Sequence, residues 1–164
     1  MSDFDDLLEA NARFAESFDG AALRGAAAAG VAVVTCMDSR IDPLAMIGLG
    51  IGDVKVIRNP GGRVTPQALE ALVLAAHLLE VGRIMVVPHT RCAVATNTEE
   101  ALREKLSASA GVDAAWQPIP VTEDQLSSLK EDVHKITSHP LIPESIKVGG
   151  FVYDVDSGRL EQVV

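Results

Sequence analysis

Hydrophobic and polar positions divide this chain into one amphipathic segment followed by a repeat of strand-like and helical blocks. Residues 3–18 place large apolar side chains on one face of a helix, with acidic residues in its first turns, where the helix dipole favours negative charge. A stretch rich in Ala and Gly, residues 20–30, separates this helix from the rest. A helix joined by such a linker packs either on its own core or on another subunit, and the pattern leaves both arrangements open.

From residue 31 onward the pattern predicts alternating strands and helices. Runs rich in β-branched residues predict strands over residues 31–36, 54–58, 84–87 and 148–155, and the turn at 156–158 leads into a final extended segment. Helices are predicted over residues 43–47, from Thr65-Pro66 to 79, from Thr98, and from a capping box at Thr122 to about 138. This alternation predicts an α/β fold with a mostly parallel central sheet, flanking helices, and a last strand that is a candidate antiparallel edge.

Length and composition limit the class of protein. The 164 residues fit a single domain, residues 1–164, with residues 1–20 as an N-terminal helical arm, and the 48% hydrophobic content is enough for a sizeable core. The net charge of −9 argues against nucleic acid or an anionic membrane as partner. No apolar run reaches the roughly 18 residues of a membrane span, and no basic segment precedes the apolar stretch 21–34 as in a signal peptide. We therefore expect a cytoplasmic protein.

The chain's two cysteines each stand in a spacing typical of metal ligands. Cys36 follows the strand-like run 31–35, and Cys92 closes the string His89-Thr-Arg-Cys92 just beyond the run 84–88. Ligands at the carboxyl ends of parallel strands gather at one edge of the sheet. Two thiolates and one imidazole suit Zn²⁺ in tetrahedral coordination, and three protein ligands leave a fourth position for water or substrate.

Other interpretations of these cysteines are weaker. Both could be ordinary buried thiols, since free cysteine is among the most buried residue types. A disulfide is disfavoured in a cytosolic protein. A thiol redox protein is disfavoured because the chain has no Cys-x-x-Cys pair. The neighbouring His89, Asp38 and Arg40 favour a metal site.

Four segments together resemble the β-class carbonic anhydrases. They are the string Cys36-Met-Asp-Ser-Arg40, the string His89-Thr-Arg-Cys92, the segment 56–62 (Val-Ile-Arg-Asn-Pro-Gly-Gly) and the segment 150–160 that ends the chain's strand pattern. The resemblance runs from about residue 32 to 160. It implies a Zn²⁺ enzyme that hydrates carbon dioxide to bicarbonate and a proton, with Cys36, His89 and Cys92 as ligands. It also implies a homodimer or a dimer of dimers.

The resemblance further implies a gating pair, Asp38 and Arg40. Asp38 can accept a hydrogen bond from zinc-bound hydroxide, or it can move onto the metal as a fourth ligand in a closed state. Arg40 selects between these states because its guanidinium can hold the carboxylate in a bidentate pair. Gly61 and Gly62 are expected to let the backbone pass close to the metal and are candidate substrate-binding residues, and Arg58 is expected to brace that glycine loop.

Two other functions stay open. The ligand strings cannot distinguish carbon dioxide from carbonyl sulfide or carbon disulfide as substrate, so a hydrolase on the same scaffold is one alternative. A non-catalytic structural-zinc or zinc-sensing module, with Asp38 as a permanent fourth ligand, is the other. The chain also departs from the family pattern at Pro60, Arg91 and Ala93.

Overall fold

A five-stranded sheet forms the centre of the molecule in a computed structural model that describes residues 2–164. The strands lie in the order β2-β1-β3-β4-β5; the first four are parallel, and β5 pairs antiparallel with β4 at one edge. Their bounds are β1 Val31–Cys36, β2 Val54–Asn59, β3 Arg83–Val87, β4 Lys147–Tyr153 and β5 Leu160–Gln162. The predicted α/β class, the mostly parallel sheet and the antiparallel edge are confirmed.

Within residues 2–164, five helices accompany the sheet. They are α1 Asp5–Ser17, α2 Pro66–Leu78, α3 Ala93–Thr96, α4 Glu99–Ala110 and α5 Gln125–Thr137. Thr65 and Thr98 cap α2 and α4 as predicted, since each side chain accepts a hydrogen bond from the third residue of the helix it precedes. The predicted helix over residues 43–47 is a single 3₁₀ turn, Ala45–Ile47, and the one-turn helix α3 was not predicted.

The predicted start of the last helix is wrong. Asp124, and not Thr122, is the N-cap of α5, because its carboxylate accepts hydrogen bonds from the backbone N–H groups of Leu126 and Ser127. The Thr122 hydroxyl instead accepts a hydrogen bond from the guanidinium of Arg63 at 3.0 Å. A tertiary contact therefore removes Thr122 from the local capping role that its spacing suggested.

Apolar side chains cover both faces of the sheet, so β1 is buried along its whole length. Alternate residues of β1 enter different cores. Ala32 and Val34 pack with Leu72 of α2 and Leu129 of α5 on one face. Val31 and Val33 pack on the other face with Ile41 and with residues of the loops that follow the strands.

Helix α1 contributes nothing to either core. No side chain within Asp5–Ser17 is buried, and the apolar residues of its stripe are largely exposed, namely Phe4, Leu7, Leu8, Phe14 and Phe18. The predicted helix is confirmed. It was expected to pack either on its own core or on another subunit, and the structure does not show the first arrangement. Over residues 2–164, no helix has the length and apolar character needed to cross a membrane.

Candidate metal centre

Three ligand side chains meet where β1 and β3 end. Cys36 is the last residue of β1, and His89 and Cys92 lie on the loop that follows β3. Their ligand atoms all lie within 4.8 Å of one another, all three residues are buried, and the two sulfur atoms are 4.0 Å apart. Two thiolates bound to one tetrahedral Zn²⁺ at about 2.3 Å would lie about 3.8 Å apart. The three residues form a group able to bind a metal ion.

The imidazole of His89 is oriented for ligation through Nε2. Its Nδ1 lies 2.8 Å from the carbonyl oxygen of Thr90, so this nitrogen carries the proton of the neutral ring. Among residues 2–164, Nε2 of His89 is the buried side-chain nitrogen or oxygen atom left without a hydrogen-bond partner. A buried, unpaired nitrogen is costly unless something binds it, and a metal ion satisfies that requirement.

The thiols hold their protons unequally. A hydrogen bond from the Cys92 thiol lowers the pKa of Cys36 to about 4, with help from His89 and from the backbone N–H of Gly61. The same bond, with burial, raises the pKa of Cys92. The pKa of His89 is raised, because interactions with the Cys36 thiolate outweigh the opposing effect of burial. A cluster that already favours one thiolate is suited to a cation, which would ionise the second thiol and leave the imidazole neutral.

A glycine loop closes against Cys36. The backbone N–H of Gly61 points at the Cys36 sulfur at 3.3 Å. A Cβ atom on Gly62 would lie 2.9 Å from the backbone nitrogen of Cys36, and Gly62 has a φ of 65°, so only glycine fits there without strain. Asn59 holds the loop in place by a pair of hydrogen bonds with the backbone of Arg63, at 2.7 and 2.8 Å.

Asp38 and Arg40 form a bidentate pair beside this centre. Arg40 donates from Nε to Oδ1 at 2.9 Å and from Nη2 to Oδ2 at 2.7 Å. This pairing holds the pKa of Asp38 well below its usual range. The Oδ2 atom of Asp38 lies 3.8 Å from Nε2 of His89, so the carboxylate faces the ligand group while Arg40 holds it.

Arg58 and Gln125 support the site. The sequence predicted a different contact for Arg58 and did not predict a role for Gln125. Arg58 does not brace the glycine loop; it donates to the carbonyl oxygens of Cys36 at 2.9 Å and Asp38 at 2.7 Å. Gln125, at the start of α5, donates to the carbonyl oxygen of His89 at 3.0 Å. The sequence carries no local signal for Gln125, because it reaches the site from a helix far along the chain.

A buried ion pair lies behind the glycine loop and was also missed. The carboxylate of Asp132 on α5 accepts hydrogen bonds from Arg63 Nε at 2.5 Å, Lys135 Nζ at 2.7 Å and the Val64 backbone N–H at 3.1 Å. Burial alone would raise the pKa of Asp132, but the hydrogen bonds from Arg63 and its other partners lower it overall. A chamber between this pair and the ligand group is lined by Gly61, Gly62, Cys92, Val94, Gln125 and Asp132.

Fold and site together define a metalloprotein of the α/β class, with sulfur and imidazole ligands at the carboxyl edge of a parallel sheet. The sequence model of the carbonic anhydrase family matches residues 31–160. Beta-carbonic anhydrase 1 of Mycobacterium tuberculosis is 30% identical over 163 residues, which cover 99% of each chain. The chain therefore belongs to the carbonic anhydrase family, and to its β class.

Two further comparisons bear on the function. A solved carbonic anhydrase structure from Streptococcus mutans is 38% identical, with a TM-score of 0.88 over 100% of this chain and 99% of that one. A carbon disulfide hydrolase of Acidithiobacillus thiooxidans is 30% identical over 153 residues, covering 78% of this chain and 70% of its own. The scaffold is thus shared by proteins named for two different substrates.

Proposed function

We propose that this protein is a zinc-dependent carbonic anhydrase, which hydrates carbon dioxide reversibly to bicarbonate and a proton. The observation that carries the proposal is the buried Cys36–His89–Cys92 group, with an unpaired Nε2 on His89, at the strand ends of a β-class fold. These three residues would hold the ion. Zinc, when bound, supplies a Lewis acid that activates water as a nucleophile.

Asp38 and Arg40 prepare the centre for catalysis. Asp38 has one oxygen facing His89, and Arg40 occupies both carboxylate oxygens from the other side. In this orientation Asp38 would accept a hydrogen bond from the nucleophile and begin the route by which the proton leaves. Released from Arg40, the same carboxylate would join Cys36, His89 and Cys92 in holding the ion.

Gly61 and Gly62 supply the wall on which substrate would rest. Their lack of side chains brings the loop within hydrogen-bonding distance of Cys36, and the chamber that they line also contains the apolar side chain of Val94. The chamber is also lined by the polar side chains of Gln125 and Asp132, so Val94 supplies an apolar contact for carbon dioxide, which carries no charge. We assign Gly61 and Gly62 to substrate binding on this basis.

Carbon disulfide or carbonyl sulfide hydrolysis is the second candidate, because a carbon disulfide hydrolase is among the relatives. Coverage favours the first proposal: the β-carbonic anhydrase spans 99% of this chain and the hydrolase 78%. A purely structural zinc site is less consistent with the geometry, since Arg40 holds Asp38 in a bidentate pair. Stopped-flow hydration of carbon dioxide, with carbonyl sulfide and carbon disulfide run in parallel, separates these functions.

The dyad is tested by Arg40→Ala and Asp38→Ala, each measured from about pH 7 to 9. Loss of two charge-assisted hydrogen bonds frees Asp38, so Arg40→Ala should lower hydration by about tenfold while zinc content holds. Asp38→Ala should also lose activity, through loss of the acceptor, with the fourth position left open. Arg24→Ala, which removes an ion pair with Glu80, is the matched control. Wild-type rates for both dyad variants would contradict a catalytic part for the pair.

The assembly is proposed to be a homodimer or a dimer of dimers. The support is the exposed apolar stripe of α1, which is unfavourable in water unless another surface covers it. The domain assignment, one zinc-dependent unit over residues 1–164 with residues 1–20 as an arm, and the cytoplasmic location likewise remain proposals.

A further inference from the structure

We propose that Arg91 and Asp156 are positioning residues that keep Arg40 oriented toward Asp38. The inference deepens the proposed function, on which its catalytic consequence rests. Its first observation is a third contact of the Arg40 side chain: besides the two bonds of its guanidinium to Asp38, Nη2 of Arg40 donates to the backbone carbonyl oxygen of Arg91 at 3.4 Å. Nη2 of Arg40 therefore contacts both the Asp38 carboxylate and the backbone of the ligand loop.

The direction of that carbonyl depends on an uncommon backbone conformation. Arg91 has a φ of 55°, in the left-handed region that residues other than glycine seldom adopt. Such a conformation persists where the surrounding structure holds it. A relaxed Arg91 backbone would turn its carbonyl away from Arg40.

The side chain of Arg91 supplies one such restraint. Its guanidinium forms an ion pair with Asp156, in the turn that joins β4 to β5. The pKa of Arg40 is raised chiefly by its hydrogen bond to Asp38, and the charge of Asp156 adds to this, so Asp156 lies close enough to affect both arginines. One carboxylate thus acts on Arg91, within the ligand loop, and on Arg40 beside that loop.

The turn that carries Asp156 is itself fixed to the ligand loop. The Thr90 backbone N–H donates to the carbonyl oxygen of Tyr153 at 2.9 Å, and the Val155 N–H donates to the Thr90 hydroxyl at 3.2 Å. Within the turn, the Asp154 carboxylate accepts from the Asp156 N–H at 2.9 Å. These hydrogen bonds therefore hold Asp156 next to Arg91. Contacts then connect Asp156 to Arg91 and Arg91 to Arg40.

The test is Asp156→Asn in the full-length, zinc-loaded protein. The readout is hydrogen exchange of the Arg40 Nε–H group by ¹⁵N NMR, with the signal assigned by its loss in Arg40→Lys. Because the pair is exposed, we expect a moderate effect: Arg40 Nε–H exchange faster by about threefold, and carbon dioxide hydration lower by a similar factor, at unchanged zinc content. Asp156→Glu, which keeps the charge, should restore the wild-type exchange rate.

Glu80→Gln is the matched control. Like Arg91, Glu80 has a positive φ, of 61°, and it forms an exposed ion pair, with Arg24. It precedes β3, however, so it lies at the opposite end of that strand from His89. Its loss should leave Arg40 exchange unchanged. Arg91→Gly is a second variant, which tolerates the left-handed backbone but lacks the guanidinium, and it should speed Arg40 exchange as Asp156→Asn does.

Arg40 exchange that stays at the wild-type rate in both Asp156→Asn and Arg91→Gly would overturn the inference. The NMR readout does not depend on turnover. A chain that fails to hydrate carbon dioxide but shows faster Arg40 exchange in both variants would refute the proposed function and still support the positioning role.

Discussion

Replacing Asp132 with Asn should destabilise the protein, because this carboxylate is the buried partner of two cations. Asp132 is 1% exposed, and it joins α5 to the segment after the glycine loop through Arg63 and the Val64 N–H. The amide of Asn keeps the shape but loses the charge and one of the acceptor oxygens. Arg63 would then keep its own charge in a partly buried position without a counter-ion.

The expected size of the loss follows from the burial of each partner. Breaking a buried ion pair from one side costs about 3–5 kcal/mol. The Arg63 side chain is 21% exposed and Lys135 is 45% exposed, so both can regain some hydration, and Lys135 adds little. We therefore expect a loss of about 2–3 kcal/mol in the free energy of unfolding, which corresponds to a fall of about 5–10 °C in Tm for a chain of this size.

The assay is thermal unfolding at fixed protein and zinc concentration, because binding and association both shift Tm. Glu131→Gln, on the same helix but exposed, makes the same change in charge and should alter stability by less than about 0.5 kcal/mol. An Asp132→Asn protein that melts within about 2 °C of the wild type would refute the reasoning, since it would mean that the pair is hydrated or that its desolvation cancels its attraction.

The pH dependence provides a second check on the same residue. The pKa of Asp132 is lowered in the folded protein, so its contribution is fully present above the unfolded pKa of about 4 and is lost as the pH falls through the folded value. Wild-type Tm should therefore drop more steeply with acidification below about pH 4 than the Tm of Asp132→Asn. Parallel curves for the two proteins would show that Asp132 does not titrate differently in the folded state.

Two more predictions concern the metal and the assembly. Cys92→Ser should lose most of its zinc, because it removes one of three protein ligands; metal analysis that finds wild-type stoichiometry would contradict the ligand assignment, and Ser107→Ala provides an unaffected control. Deletion of residues 1–20 should weaken self-association in sedimentation experiments, since it removes the apolar stripe of α1; a full-length protein that is monomeric at about 20 µM would contradict the proposed assembly.

The sequence predicted what depends on local pattern and on the order of elements along the chain. The strand over residues 31–36 was placed without error, because a short run rich in β-branched residues is typical of a strand buried on both faces. The clustering of Cys36 with His89 and Cys92 followed from one further rule, that parallel strands end at a common edge. The first inference needs only the local pattern, and the second needs in addition the order of elements along the chain.

What the sequence did not predict depends on contacts between distant segments. Thr122 carries the correct spacing for a helix cap, yet Arg63 takes its hydroxyl. Gln125 reaches the carbonyl of His89 only because α5 packs beside β3. Neither contact leaves a periodicity or a motif, since each is set by how two elements are oriented in the folded protein.

These distant contacts also hold two of the proposed metal ligands, Cys36 and His89, in place. Cys36 receives the Gly61 N–H on its sulfur and the Arg58 guanidinium on its carbonyl, and His89 receives Gln125 on its carbonyl. Cys36 and His89 are therefore held at their carbonyl oxygens by residues from other elements, which leaves Nε2 of His89 free for the ion. Asp38 differs, because its carboxylate oxygens are held by the side chain and backbone of Arg40, two residues away. Asp38, which we propose releases and rebinds, is thus secured by one neighbouring residue, whereas Cys36 and His89 are secured by contacts that span the fold.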